Sequence, residues 1–413
     1  MFRLLNFLSN EFFQKLFLVL LIFSIPIFEA PKNIFFLAFI VSWILLSYKK
    51  GDWGGRWIFL DSLFFVWILI NLAVAFHAYF FLEQPFNGMF DILRYIIFGW
   101  VISRYYFTNK ELKRIVLTVI ISTLSIFYSF YFSHCYELYY PINHTCLKLN
   151  SVGHVNHTTI YLILSVILAL SSITTEEAIF KKKFFKFLFG TYAFSITYLV
   201  FISQSRASIL SFLVFIFLFL FYIFKRISLK FKFVIPIMII FSSMFFITNS
   251  PGLVEKVENT FSSFENGRLK IWNFSLEVFK LSPIFGVGMD NYPNYNFEDF
   301  KENIANNNIE NTRPQNKDLY MPFSHPHNVY LHFLVGGGII FASFFVFFWV
   351  YILYKLISKK ALQSPKWIDF ATINVVISIL LIGLFNTSLA NENALLVFLI
   401  VGIYVSKKMR NFK

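Results

Sequence analysis

Long apolar runs separated by short polar stretches fill most of the chain. They predict membrane-spanning helices near 12–28, 33–48, 57–77, 89–107, 114–133, 158–175, 189–204, 208–224, 233–249, 327–354, 367–387 and 392–406. About 20 apolar residues suffice for a helix to cross a bilayer, so each run is long enough, or nearly so, to span. The first run follows Met1-Phe2-Arg3 and has no small-residue cleavage site, which makes it an uncleaved span. One long polar stretch, 250–326, interrupts the pattern with Pro, Gly and Asn turn clusters. Within it Phe264 to Leu281 predicts an amphipathic helix with Leu269, Trp272, Leu276 and Phe279 on its apolar face. The expected fold is an all-α polytopic membrane protein of about twelve transmembrane helices: a nine-span bundle over 1–249, a loop with short helices over 250–326, and three spans over 327–413. No internal repeat of the kind many transporters carry is visible.

Charge gives this layout a direction. Lys and Arg number 36 against 22 Asp and Glu, a net charge of +14 that in a soluble chain would point to nucleic acid. Twenty-three of the 36, however, form short clusters around Lys49, Arg104, Lys182, Lys225, Lys359 and Lys407, in every second loop. That is the positive-inside pattern of cytoplasmic loops, so both termini are expected in the cytoplasm and no nucleic-acid partner is implied. The intervening loops, including 250–326 with seven basic and ten acidic residues, fall on the exoplasmic side. With 57% hydrophobic and 14% charged residues, a soluble enzyme is excluded. The 59 Phe are read as lipid-facing filler.

Ionisable residues inside spans are costly and therefore functional candidates. Asp91 and Arg94 lie three apart on one helix face, where they form a salt bridge or leave Arg94 as a ligand for substrate. Lys15, Asp61 and Asp369 lie near cytoplasmic ends, solvated or hydrogen-bonded. Arg206, in Gln204-Ser205-Arg206-Ala207-Ser208, has no acidic residue within twenty positions. Its planar fork of donors suits a phosphate, while snorkelling to headgroups is the simpler reading. Arg268, near the start of the amphipathic helix, is an anion site or a solvated surface residue, and Gly286-Val287-Gly288 is too short for a nucleotide fingerprint. His325, His327 and His332 fall within eight residues where the long loop enters the tenth span. No zinc spacing accompanies them, so a proton-transfer role for His327, flanked by Asn328, is preferred to metal binding. The loop 134–157 carries His134, His144, His154 and His157, read as surface residues, and Cys135 and Cys146, read as a disulfide on the oxidising side.

Three blocks in order resemble the O-antigen ligase and polymerase superfamily of bacterial inner-membrane glycosyltransferases. They are Ser205-Arg206-Ala207-Ser208 with Leu210; Gly267-Arg268 through Trp272 and Pro283 to Gly286-Val287-Gly288; and His327-Asn328 with Gly338 after nine residues. One departure is Phe341, where the family's ligase pattern H-[NSQ]-x9-G-x-x-G has a second glycine. The resemblance implies a multi-pass protein with its active site facing the periplasm. The implied reaction carries a glycan from an undecaprenyl pyrophosphate carrier to lipid A-core oligosaccharide, inverting the anomeric carbon without metal or cofactor. It implies His327 as base and Arg206 and Arg268 as the cations that hold the pyrophosphate; Ser205 and Asn328, beside them, and Arg94, on the residue reading above, are the further candidate substrate contacts. A polysaccharide polymerase of the same superfamily and a protein O-oligosaccharyltransferase are the nearest alternatives; a transporter is the rival of another class.

Overall fold

The computed structural model describes residues 8–132, 147–175, 177–203, 205–224, 267–296, 320–357 and 366–410. The span expected at 233–249, the loop segments 250–266 and 297–319, and the Cys135–Cys146 pair lie outside the described residues. The described chain forms α1 (Glu11–Ser24), α2 (Glu29–Lys50), α3 (Phe59–Leu82), α4 (Met89–Ser103), α5 (Asn109–Thr123), α6 (Ser125–Phe132), α7 (Val155–Thr174), α8 (Lys183–Ile202) and α9 (Arg206–Phe224). It continues as α10 (residues 267–281), α11 (Val329–Leu356), α12 (Trp367–Gly383) and α13 (Asn391–Lys408). No strand occurs among the described residues. Among the described residues six helical stretches are long and apolar enough to cross a membrane: α2, α3, Asn109–Ser129, α7, α8 and α11; Arg206–Tyr222 and Trp367–Gly383 are shorter apolar helices.

Two helices form the centre. Every residue of α13 from Glu392 to Ser406 is buried, and most of α7 is as well, as expected of helices that are apolar on all sides. Around α13 the aromatic residues interlock: Trp67 on α3 lies 4.7–6.3 Å, ring centre to ring centre, from Phe341, Phe345, Phe348 and Phe398. The reading of phenylalanine as lipid-facing filler therefore needs correction. Phe65, Phe76 and Phe80 are exposed, whereas Phe64, Phe98, Phe345 and Phe398 are core. Edge-to-face contacts among large rings fill volume with defined geometry, which a lipid-facing ring does not need.

Buried charges tie the two halves of the chain together at opposite ends. Asp61, at the start of α3, accepts from the Trp100 indole at 2.8 Å and the Ile58 amide at 2.8 Å, and pairs with Arg104 at 2.8 Å and with Arg410. At the other end Lys32 on α2 is wholly buried, pairing with Glu392 on α13 and with Glu29 at 2.7 Å. Neither tie joins sequence neighbours alone, so neither stands out in the linear pattern. Each satisfies charges that would otherwise sit alone in an apolar interior.

The helix α10 has the predicted amphipathicity with a rotated face. Its buried side is Ile271, Phe274, Ser275 and Val278, packed with Val287, Tyr292 and Val335. Leu269 and Leu276, expected inside, are 43% and 41% exposed. Both stripes have helical spacing, and the segment that packs against α10 decides which one is covered.

Candidate active site

The site forms where three connections meet at one end of the bundle. The first is the entry to α11. Asn328 caps this helix, its side-chain oxygen accepting from the amides of Tyr330 at 2.9 Å and Leu331 at 3.1 Å. Its amide nitrogen donates to the Leu384 carbonyl at 3.1 Å, fastening the entry to the end of α12. His327, immediately before the cap, has φ of 51°, a left-handed conformation uncommon for a side chain of this size. Its ring lies 4.1 Å from that of His325 and 4.9 Å from that of Phe323, and it hydrogen-bonds the Asn386 side chain. Burial, then the charges of His325, Arg268 and His157, push the His327 pKa down to about 4 against the opposing effect of Asn386. His325 is likewise pushed down to about 4, by burial and then by His332 and His154. Both imidazoles are therefore neutral near pH 7.

The second connection is α10. Arg268 stands in its first turn, with its guanidinium carbon 6.0 Å from the centre of the Phe385 ring. Burial lowers its pKa, and the charge of Arg206 lowers it further. α10 is also stitched to the histidine segment: the Trp272 indole donates to the Pro326 carbonyl at 3.1 Å, and the Met321 amide to the Lys270 carbonyl at 3.1 Å. The third connection is the tight corner from α8 to α9, where Arg206 opens the helix. Beside it Ser205 is buried and donates from its hydroxyl to the Ser208 hydroxyl at 2.9 Å.

Arg268 is thus within electrostatic reach of both Arg206 and His327, although the three come from separate parts of the chain. Arg206 stands close enough to Arg268 to disfavour its charge, and two guanidinium groups so placed make a place where an anion is stabilised. Asn328 reaches this site as a cap, and Ser205 as part of the corner that carries Arg206. Arg94 is set apart. It donates to Asp91 at 2.8 Å and to Asn33 at 2.6 Å, the salt-bridge reading, and among the described residues it contacts none of the other candidates.

A glycine-lined interlock holds the arrangement. Gly338 has φ of 65° and ψ of −172°, breaking α11 about one-third of the way along. The extended segment after α10 fills the break: the amides of Val287 and Gly288 donate to the carbonyls of Val335 and Gly336, both at 2.9 Å. In return the Ile339 and Ile340 amides donate to Pro283 at 2.9 Å and Ile284 at 3.3 Å. Irregular backbone at this depth is tolerated because the hydrogen bonds freed by the break are remade. A Cβ on Gly286 would stand 2.4 Å from the Gly338 amide nitrogen, and one on Gly338 would stand 2.2 Å from the Ile284 carbonyl oxygen.

Several participants escaped the sequence reading. His157, expected at the surface, is half-buried and close enough to depress His327, and its carbonyl accepts from Asn393 at 3.3 Å. Asn386 and Phe385, beyond α12, touch His327 and Arg268. The polar run Asn386-Thr387-Ser388 inside an apolar region was the available signal. His332 lies 3.6 Å from Asp290. Among the described residues no group of three or more metal-ligating side chains gathers.

Fold and site together define a polytopic helical membrane protein with paired arginines and a neutral histidine at one end. Residues 191–346 match the family model for O-antigen ligase, a match that supports the O-antigen ligase superfamily, whose ligases and polymerases are glycosyltransferase-like enzymes. The matched stretch contains Arg206, Arg268, His327, Asn328 and the glycine interlock; it excludes Arg94, His157 and Asn386. No curated protein matches the chain.

Proposed function

We propose that this protein is an O-antigen ligase of the bacterial inner membrane. In this reading it has twelve spans and a site open to the periplasm, and it transfers a glycan from undecaprenyl pyrophosphate to a hydroxyl of lipid A-core oligosaccharide. The observation that carries the reading is Arg268, within electrostatic reach of both Arg206 and His327, beside the entry to α11. The acceptor hydroxyl loses its proton to the neutral imidazole of His327 as its oxygen attacks the anomeric carbon. The bond from that carbon to the carrier pyrophosphate breaks, and the negative charge developing on the leaving oxygen is held by the two guanidinium groups. Attack opposite the leaving group inverts the anomeric centre. The proton rests on His327, whose depressed pKa favours its release to water. A polymerase acting on two carrier-linked chains would use the same groups, and Phe341 in place of the second glycine of the ligase pattern is the feature that favours it.

Turnover with purified carrier-linked donor and lipid A-core acceptor tests the proposal. His327→Ala should lose on the order of 10²–10⁴ in rate with carrier binding retained. Arg206→Lys and Arg268→Lys should remain impaired, because an ammonium does not reproduce a bidentate fork. Near-normal turnover in His327→Ala, or a larger loss in His325→Ala, would assign the base elsewhere. Product joined to a second carrier-linked chain, with none on lipid A-core, would make the enzyme a polymerase.

A further inference from the structure

We propose that a lysine-lined cavity at the opposite end of the bundle binds the phosphate headgroup of an anionic phospholipid. The cavity has a volume of about 710 Å³ and is bordered by Lys113, Lys181, Lys182, Lys366 and Lys407. Its place in the fold follows from the helices that reach it. His157 is near the start of α7 and Glu177 lies just past its end; Asn393 is near the start of α13 and Lys407 near its end. At about 1.5 Å per residue, the 20-residue α7 separates the cavity from the histidine site by roughly 30 Å. The cavity therefore belongs to neither the reacting centre nor its connections. It opens on the face that carries the basic loops.

Five positive charges line this cavity against a single acid among the described residues, Glu177, which pairs with Lys366 at 2.8 Å. Two of the lysines are already placed against protein: Lys407 donates to the Phe107 carbonyl at 2.9 Å, and Lys113 stands 5.9 Å from the centre of the Phe180 ring. These contacts hold the ammonium groups around the cavity without neutralising them. The helix starts reinforce the charge. α5, α8 and α12 all begin at the cavity wall. Of these, α5 has an acidic capping box at Thr108 and Glu111, and α12 carries Asp369 in its first turn. α8 starts after Lys182, which makes no side-chain cap bond, and has no acid in its first turn, so its amide dipoles add to the lysine field. An anion with several oxygens, shared among lysines and helix-start amides, is the ligand this arrangement stabilises.

The same chemistry would be offered by a free phosphate or by a lipid headgroup. The surroundings favour the lipid. Phe184 and Phe187, one turn into α8 beside Lys181 and Lys182, are 66% and 75% exposed, and Leu188 follows them. An exposed apolar strip within two turns of the lysines along α8 suits an acyl chain whose headgroup lies at the cavity, and a soluble anion would leave it uncovered. Basic cavities at the ends of spanning helices acquire anionic lipids by this combination of charge and depth.

Native mass spectrometry of the full-length protein in neutral detergent provides the test, titrating phosphatidylglycerol, phosphatidylcholine and sodium pyrophosphate separately. Phosphatidylglycerol should bind at least about tenfold more tightly than phosphatidylcholine, and its affinity should fall with added salt. The combined variant Lys181→Gln, Lys182→Gln, Lys366→Gln should lose on the order of tenfold or more of that affinity. Lys280→Gln, at the other end of the bundle, should change it by less than about twofold. Glu177→Gln removes the one acid among the described lining residues and should raise affinity several-fold, a gain that damaged folding does not mimic. Equal binding of the two lipids, wild-type affinity in the triple variant, or no gain in Glu177→Gln would overturn the proposal. Saturable pyrophosphate binding that the triple lysine variant abolishes, without phosphatidylglycerol binding, would overturn it in favour of a soluble anion.

Discussion

At His327 three physical effects meet: burial, neighbouring positive charge and one stabilising hydrogen bond. The ordinary imidazole pKa is near 6.5, and here burial, His325, Arg268 and His157 hold it at about 4. The sign follows directly. Between those two values the unfolded chain takes up a proton that the folded site refuses, so this group's contribution favours folding above pH 6.5 and fades as the pH drops toward 4. For the proposed activity the base form persists well below neutrality. The acidic limb of kcat/KM should lie nearer about pH 4–5 than 6.5, as read from a rate profile with buffered donor and acceptor. Asn386 pulls the other way by favouring the protonated ring, so Asn386→Ala should move that limb to still lower pH and reduce kcat. A limb unchanged at about pH 6.5 in both proteins would contradict the environment described for His327.

Within single elements, the broken α11 is the part on which the site depends. Asn328 starts it, Gly338 interrupts it, and the segment Pro283 to Gly288 is laid into the gap by paired backbone hydrogen bonds. Because that segment follows α10 directly, the interlock sets where Arg268 stands relative to His327. A methyl at position 286 meets backbone atoms of Gly336 and Gly338 at 2.4–2.5 Å, and position 286 also has φ of 72°. Gly286→Ala should therefore cost about 1–3 kcal/mol or more through strain, visible as a lowered melting temperature in detergent. It should also reduce turnover more than a substitution of equal thermal cost at an exposed position elsewhere in the bundle, such as Phe80→Ala. The predicted motif glycines thus have a mechanical meaning: their missing side chains admit another backbone.

For the molecule as a whole, buried charge at one end and a basic face give testable consequences. Asp61 neutralises Arg104 and Arg410 from distant parts of the chain, so Asp61→Ala leaves two cations in a closed interior. Breaking a buried pair by removing one partner costs on the order of 3–5 kcal/mol, and the variant should melt well below the wild type or fail to accumulate. Asp61→Asn keeps part of the hydrogen bonding and should fall between. Topology is open to reporter fusions: Lys182, in a basic loop, should report the cytoplasm, and Asn266, before α10, the opposite compartment. The same compartment for both would end the twelve-span reading.

Membrane class, the positions of most helices and the polar residues worth testing were legible in the sequence. Apolar length and loop charge are local properties that a bilayer reads directly. The order Arg206, Arg268, His327 and the glycines of the second and third blocks also stood out as linear signals. Tertiary structure decided the rest. Which stripe of α10 is buried depends on Val287, Tyr292 and Val335, none of them on α10 itself. That Arg94 is held by Asn33 as well as by Asp91 depends on a residue 61 positions away. His157 became a neighbour of His327, and Lys32 a partner of Glu392, only when α7 and α13 packed in the centre. Helices in a membrane are placed by close packing and by the need to satisfy every buried polar group, and both are pairwise conditions between residues that the chain order keeps apart.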